Sequence, residues 1–454
     1  MSETQSPTIS VIMPVYNAEQ DLARVLSSLA DSTYKPLECL VIDDSSTDGS
    51  AQIAREFGTC LVTMEKRGGP AVARNRGASL ARGDILFFVD SDVCVRPATL
   101  ARIAAAFAGD ASLSALIGSY DDDPHTKDFL SQYRNLMHHY VHQAGREAAS
   151  TFWSGCGAIR RTVFQEVSGF NESYGRPAIE DIELGYRLHQ NHHKVLLDHD
   201  LTVKHLKRWT FWSLVKTDIF DRGIPWTELI LRDRHMPNDL NIQLSQRVSV
   251  ALAFLMVAVT AAAAVQWRGY VLTPLFALVF FLLARFWADA AAESRSKAAI
   301  LGLWGAMLSI VLLATMHHMF GLIPPLILSM LLLFSRHRYA GSNLQKRRLV
   351  RIPVMFYLLF SVLACLYYFP SHTLLFALFL IAATLGLLNS QFYLFLAAKR
   401  GIFFAAAAIP FHMLYHFYNG VSFLAGAARF WLTAGSVRSA AVETTEPQPG
   451  EHHK

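Results

Sequence analysis

Two pairs of carboxylates fall where a site could form. Asp43 and Asp44 directly follow the apolar run LVI, and Asp90 and Asp92 directly follow ILFFV. Carboxylates collected at the ends of neighbouring buried runs are poor core residues. Their oxygens can instead hold a hard divalent cation, accept hydrogen bonds or take a proton. The sequence therefore places its chemistry at these two points.

The elements that position them are short. From Thr8 to about Val203, runs such as ISVIMPV, ECLVIDD, CLVTMEK, ILFFVDSD and LSALIGSYD alternate with the helix-like AEQDLARVLSSLA, a helix after STDGS, PAVARNRGASLAR and PATLARIAAAFA. Strands separated by helices of this length predict βαβ units, a mainly parallel α/β sheet and ligands at the carboxyl ends of the strands. Gly68 and Gly69 read as a turn and not as a P-loop, since no GKS or GKT follows. Asp48 reads as a helix cap, and Asp43 is open between a turn carboxylate and a ligand.

The second half differs in kind. Of the 454 residues 52% are hydrophobic and 17% charged, too apolar for an ordinary soluble domain. Up to Arg247 there are 26 Lys and Arg against 31 Asp and Glu, and after it 15 against 5. Runs without Asp, Glu, Lys or Arg extend over 248–267, 298–334, 352–398 and 401–428, each long enough for a bilayer. Spans are expected near 248–267, 270–288, 298–317, 319–334, 352–369, 373–390 and 402–427, six or seven in all. The last could fold back on itself. The basic loop at 335–351 marks the cytoplasmic side. An internal repeat, TPLFALVFF from Thr273 against TLLFALFLI from Thr373, is a further possibility.

These features divide the chain into a tail at 1–7, a catalytic domain at 8–203, amphipathic interfacial helices at 204–247, a transmembrane helical domain at 248–434 and a disordered tail at 435–454. In the interfacial segment Trp209, Phe211 and Trp212 are expected to face lipid. The N-terminus lacks a basic and an apolar region, so the first half is expected to remain cytosolic. The setting is then an integral membrane protein, of a bacterial inner membrane, with its catalytic domain on the cytoplasmic face. Five cysteines without a CxxC pair suggest neither a disulfide framework nor zinc. Basic charge beside apolar spans is topology information and no nucleic-acid footprint. His138 and His142 have zinc-like spacing but no third ligand, and are expected at a surface or interface.

The ordered set VIMPVYN, VIDDSSTDGS, GGPAVARNRGASLARGDILFFVDSD, WSGCGAIRR and IEDIELGYRL resembles the family 2 glycosyltransferases with a GT-A fold, over about residues 8–205. The resemblance implies inverting transfer of a sugar from a nucleotide-diphosphate sugar, assisted by Mg or Mn. It implies that Asp44 reads the base, with Pro14, Tyr16 and Asn17 shaping the pocket. Asp90, Ser91 and Asp92 match the DxD motif, with Asp92 the direct metal ligand and Asp90 on the ribose or on the metal through water. Arg74 matches a position near the donor, the alternative being a helix surface. Asp181, beside Glu180, occupies the position of the general base, the alternative being charge complementing a helix dipole. Trp153, Gly155 and Cys156 match the acceptor wall, where Trp153 stacks on a sugar or belongs to the core. His205 completes the metal or diphosphate site or is structural. It opens HLKRW, which departs from the QxxRW of processive synthases.

The acceptor is expected to be a hydroxyl on a lipid-linked or saccharide molecule near membrane lipids, in cell-envelope glycan or glycolipid synthesis. A processive polysaccharide synthase, a polyprenyl-phosphate glycosyltransferase and, outside enzymes, a transporter with a degenerate transferase domain are the alternatives.

Overall fold

The computed structural model describes residues 6–266 and 373–443. In chain order the first elements are β1 (Ile9–Val15), α1 (Glu19–Ala30), β2 (Glu38–Asp43), α2 (Ser50–Glu56), β3 (Cys60–Thr63), α3 (Pro70–Leu80) and β4 (Ile85–Val89). There follow β5 (Val93–Cys94), α4 (Thr99–Gly109), β6 (Leu113–Tyr120), α5 (Phe129–Ala144), β7 (Cys156–Arg160), α6 (Arg161–Glu166), α7 (Glu180–Gln190) and β8 (Lys194–His205). Then come α8 (Phe211–Lys216), a π-helical turn (Thr217–Gly223), α9 (Ile224–Asp233), α10 (Leu244–Gln266), α11 (Thr373–Leu388), α12 (Ser390–Arg400) and α13 (Ile402–Glu443).

The eight strands lie in the order β3-β2-β1-β4-β7-β6-β8-β5. The mainly parallel expectation holds for six of them, while β7 and β5 run against their neighbours. Alternation along the strands divides the core into two layers, as the period of two requires. Val11, Met13, Phe87 and Val89 pack on one side with Leu22, Val25, Ile103 and Phe107 of α1 and α4. Ile12, Leu86 and Phe88 pack on the other with Ala73, Phe164, Leu184 and Leu188 of α3, α6 and α7.

The two reversed strands matter most for position. Because β7 runs opposite to β4, its first residue pairs with the last of β4, Cys156 with Val89, and this delivers Trp153 and Ser154 to the edge that carries Asp90. The pairing of Val93 with His205 ties the end of β8 to the residue after Asp92. Helix α7 approaches the 151–152 backbone so closely that a Cβ on Gly185 would stand 2.2 Å from the amide nitrogen of Phe152.

Contacts group the described residues up to Val250 with those from Phe392 onward as one compact unit, and Ala251–Gln391 as the other. The hydropathy boundaries at 248 and 434 do not follow this division. Within the first unit Phe392, Leu396, Phe404 and Ala408 of α12 and α13 pack with Tyr133, Leu136 and Met137 of α5. Asp218 joins them by polar links, at 2.6 Å from Arg134 and accepting from the Tyr418 hydroxyl at 2.6 Å. Trp209, expected to face lipid, is buried with Leu214 and Tyr418, whereas Trp212 is 77% exposed.

Among the described residues one helix, over Leu244–Ala261, is long and apolar enough to cross a membrane, and α11 with α12 passes only if read as a single bent span. The stretch after Ile402 does not fold back but runs as one helix through Pro410 to Glu443. Its Ala-rich end continues the helix, so the tail expected to be disordered from 435 is helical as far as 443. The expected spans at 270–288, 298–317, 319–334 and 352–369, the loop at 335–351, the first copy of the repeat and residues 444–454 lie outside the described residues.

Replacing Gly185 by Ala should destabilise the chain by about 1–3 kcal/mol, because overpacking against backbone outweighs the gain in helix propensity. Urea denaturation followed by tryptophan fluorescence measures this. An unchanged midpoint would show that α7 shifts freely on the 151–152 segment.

Candidate active site

At the end of β1 and β2 the chain forms two interlocked loops. Asn17 and Ser45 adopt positive φ, 50° and 61°. The Asn17 side-chain oxygen accepts from the Thr47 amide at 2.8 Å, and the Asn17 amide donates to Ser46 Oγ at 3.0 Å. Asp43 accepts from the Ser46 amide at 3.0 Å, which makes it the turn carboxylate of the two readings left open. Asp48, expected to cap a helix, lies one residue before the Gly49 N-cap of α2 and accepts from the Ser50 amide at 3.0 Å. Asp44 is buried, and its two oxygens accept from the Gly68 and Gly69 amides at 2.7 and 2.8 Å. It thus clamps the glycine turn, where Gly69 has φ +88° and meets the Gly175 backbone. Pro14 is half-buried beneath this mouth, and Tyr16, 39% exposed, lies under the Arg67 guanidinium at 3.8 Å.

The centre of the cleft is an ion triad. Arg74, buried on α3, donates to Asp90 at 2.8 Å through one terminal nitrogen and to Glu180 at 2.8 Å through the other. This excludes the helix-surface alternative for Arg74. Burial opposes its charge, yet the two carboxylates hold its pKa above the ordinary arginine value. Glu180 also accepts from the Ala178 amide at 2.9 Å.

Next to the triad Asp181 accepts weakly from the Ser154 amide and hydroxyl, at 3.2 and 3.3 Å. Burial, and then the neighbouring Glu180 charge, push its pKa up to about 6, with Arg74 pulling the other way. A carboxyl raised this far lies in the range useful to a general base, whereas a helix N-terminus by itself favours the charged form.

On the other side of Asp90, His205 Nε2 stands 3.5 Å from Asp92. Burial disfavours the Asp92 carboxylate, but His205, helped by Lys207, more than offsets it and holds the pKa below the usual value. The His205 ring is stacked on Tyr120 at 4.1 Å and 10°. Trp153 meets Tyr120 edge-on at 4.9 Å and His138 at 4.7 Å. Trp153 is half-buried and packs on the core while lining this nest.

Two acceptor-wall expectations change. Cys156 is fully buried in the sheet core and its thiol is pushed up by burial, so it cannot touch an acceptor. Gly155 makes room for the indole, since a Cβ there would come within 2.7 Å of the Trp153 ring. His142 is buried inside the domain and His138 is half-buried beside it, so the surface expectation fails for His142. Their rings stack at 4.1 Å, His142 Nδ1 is 2.9 Å from the Gly118 carbonyl oxygen, and burial lowers the His142 pKa to about 4. Arg208 of HLKRW points outward, 4.0 Å from Asp128.

No group of three or more His, Cys, Asp or Glu gathers into a preformed metal cage among the described residues. Asp92 and His205 are nonetheless adjacent, and Asp90 and Asp92 keep about a third of their side chains open. Such a partial set of hard donors suits a divalent cation whose remaining positions are filled by phosphate and water.

Sequence reasoning missed Ser154 and Tyr120. Tyr120 had a signal, because it ends a buried strand as Asp43 does. Ser154 had none.

The family model for glycosyl transferase family 2 matches residues 10–168. The chain is 31% identical over 219 residues to validoxylamine A glucosyltransferase of Streptomyces hygroscopicus subsp. limoneus, covering 40% of this chain and 48% of that one. It is 35% identical over 159 residues to 4,4'-diaponeurosporenoate glycosyltransferase of Staphylococcus haemolyticus, covering 33% and 36%. The chain thus spans about half or less of the length of these curated relatives. Among solved structures it is similar to mannosyltransferase PcManGT from Pyrobaculum calidifontis in complex with GDP-Man and Mn2+, at 20% identity and TM-score 0.46, over 67% of this chain and 85% of that one. The stretch matched by that family model, 10–168, carries the first two acidic pairs at the strand ends.

Proposed function

We propose that this protein is a membrane-anchored, inverting glycosyltransferase that moves a sugar from a nucleotide-diphosphate sugar to a hydroxyl of a lipid-linked or membrane-proximal acceptor. The observation that carries the reading is the Arg74 bridge between Asp90 and Glu180, because it holds a donor-side carboxylate and an acceptor-side carboxylate in one cleft. Two relatives are named for glycosyl transfer, and the apolar α10 helix supports the anchor. The charge contrast between the halves supports a cytoplasmic catalytic face.

In this mechanism the base enters between Tyr16, Asn17 and the loop clamped by Asp44. Asp92, His205 and the free edge of Asp90 would hold a divalent cation such as Mg or Mn, which would supply positive charge as the diphosphate leaves. Arg74 fixes Asp90 so that this end of the donor is positioned before reaction. Trp153 offers its face to the acceptor, and Asp181 takes the acceptor hydroxyl proton as the oxygen attacks the sugar carbon opposite the leaving group.

The Asp181 carboxyl is ionised above about pH 6, so turnover at saturating substrate should fall about tenfold per unit below that value. Asp181→Asn should lower turnover by ~100-fold and remove this limb while leaving nucleotide-diphosphate affinity unchanged. The folded carboxyl also has a higher pKa than the unfolded one near ~3.9. Its stabilising contribution is therefore present below that value and lost as pH rises through about 6. The Asn variant should be more stable at pH 7, by about 1–3 kcal/mol. A pH–rate profile and thermal melts of both proteins check these outcomes, and normal turnover in the variant removes Asp181 as the base.

Calorimetric titration of the full chain with UDP and GDP tests the donor site. Affinity for the nucleotide diphosphate that binds should drop tenfold or more on adding chelator, and similarly in Asp92→Ala. Equal affinity with and without divalent metal would sink the metal assignment.

A further inference from the structure

The reaction above asks His205 to offer a ring nitrogen beside Asp92, and a ligand of that kind must be held in plane. The lone pair of an imidazole nitrogen lies in the plane of the ring, so the plane decides where the nitrogen points. Backbone pairing with Val93 places the Cα of His205 next to Asp92 but leaves both side-chain torsions free. A ligating histidine is usually oriented by a hydrogen bond from its other ring nitrogen. Here Nε2 stands 3.5 Å from Asp92, and Nδ1 of this buried residue has no hydrogen-bond partner among the described residues.

A second ring holds the plane instead. Tyr120 lies parallel to His205 at 4.1 Å and 10°, so a turn of the imidazole about its Cβ–Cγ bond would drive its edge into the tyrosine. Tyr120 is itself fixed on several sides. Trp153 meets it edge-on at 4.9 Å and His138 packs on it at 4.4 Å. Its carbonyl oxygen is 2.7 Å from Nδ1 of His139, and the next amide, that of Asp121, donates to the Val203 carbonyl at 2.7 Å. Behind it His138 stacks on His142 at 4.1 Å and 23°, and His142 is tied to the Gly118 carbonyl at 2.9 Å. The rings of His142, His138, Tyr120 and His205 therefore follow one another from the backbone of β6 to Asp92, and the histidine pair of α5 forms the rear of this column.

We propose that Tyr120 is a positioning residue for the metal end of the cleft: its ring sets the plane of His205, so that Nε2 stays turned toward Asp92 and can serve with it as a ligand. This rests on the glycosyltransferase reading and adds to it a residue outside the acidic stations. Tyr120 acts through His205 and not on the donor, and it acts through its ring, so the hydroxyl is dispensable.

Calorimetric titration of the full chain in detergent with UDP and GDP, in Mn2+ and in chelator, tests this on the wild type, Tyr120→Phe and Tyr120→Leu. The quantity read is the gain in affinity that Mn2+ gives. Tyr120→Phe should keep the wild-type gain. Tyr120→Leu, which has no flat ring, should bind roughly tenfold more weakly in Mn2+, the scale of losing a group that orients a ligating histidine. In chelator all three should bind the nucleotide diphosphate alike, which also shows that the leucine variant folds. Direct Mn2+ binding, read from the paramagnetic resonance signal of the free ion, should fall in the same order. An unchanged Mn2+ gain in Tyr120→Leu overturns the proposal. So does an equal loss in Tyr120→Phe, which assigns the effect to the hydroxyl, and so does a loss in chelator as large as in Mn2+, since the ring then only supports the fold. If the wild type gains nothing from Mn2+, the metal assignment fails and takes the proposal with it, and if neither nucleotide binds the wild type, the transferase reading fails with both. A wild-type gain that Tyr120→Leu retains sinks this inference alone.

Discussion

A buried guanidinium shared by two carboxylates is the contact on which the cleft depends. Arg74 reaches Asp90 from one side of the sheet edge and Glu180 from the other, both at 2.8 Å. Removing Arg74 leaves the buried Glu180 carboxylate uncompensated, at a cost of about 3–5 kcal/mol. The same contact leaves Asp181 as the carboxylate next to the triad but outside it. Burial, and then the neighbouring Glu180, keep the Asp181 carboxyl up at about 6. One guanidinium therefore joins the residue after β4 to the start of α7.

The helical layer repeats this arrangement with different partners. Asp218 is buried between Arg134 and Tyr418, residues from three elements that no local pattern connects. It fixes the π-helical turn, and the turn, through the pairing of Asp221 with Arg176, fixes the loop before Glu180. Buried polar links of this kind give position more than net stability.

What was legible in the sequence followed from local rules. Strand alternation, helix spacing and acids at strand ends located β1, β2, β4, α1 and α4 and the Asp44 and Asp90 stations, because each is written within a few consecutive residues. The placement of His205 beside Asp92 was open in the sequence, since it depends on β5 pairing antiparallel with the end of β8. Cys156 was misread for a related reason: adjacent residues in a strand face opposite ways, and the motif alone did not say which faced the cleft. Trp209 was misread because its apolar cover comes from Tyr418, more than two hundred residues later. Helix α13 begins in a run without Asp, Glu, Lys or Arg, yet it is not apolar enough to cross a membrane and carries the buried His412, His416 and Ser422, so the charge-free run alone did not reveal its packing on α9 and the π-helical turn.

The chain leaves the catalytic unit near Val250 and rejoins it at Phe392, and this has a consequence for biosynthesis. A ribosome delivers the sheet, the acidic pairs and Asp218 early, but Tyr418 and the apolar cover over Tyr133, Leu136 and Met137 only near the end. Until then the nascent first half carries an uncovered aromatic face and an Asp218–Arg134 pair lacking its third member, a surface prone to off-pathway association. Synthesis of the intervening segment thus sits in time between the two parts of one compact unit.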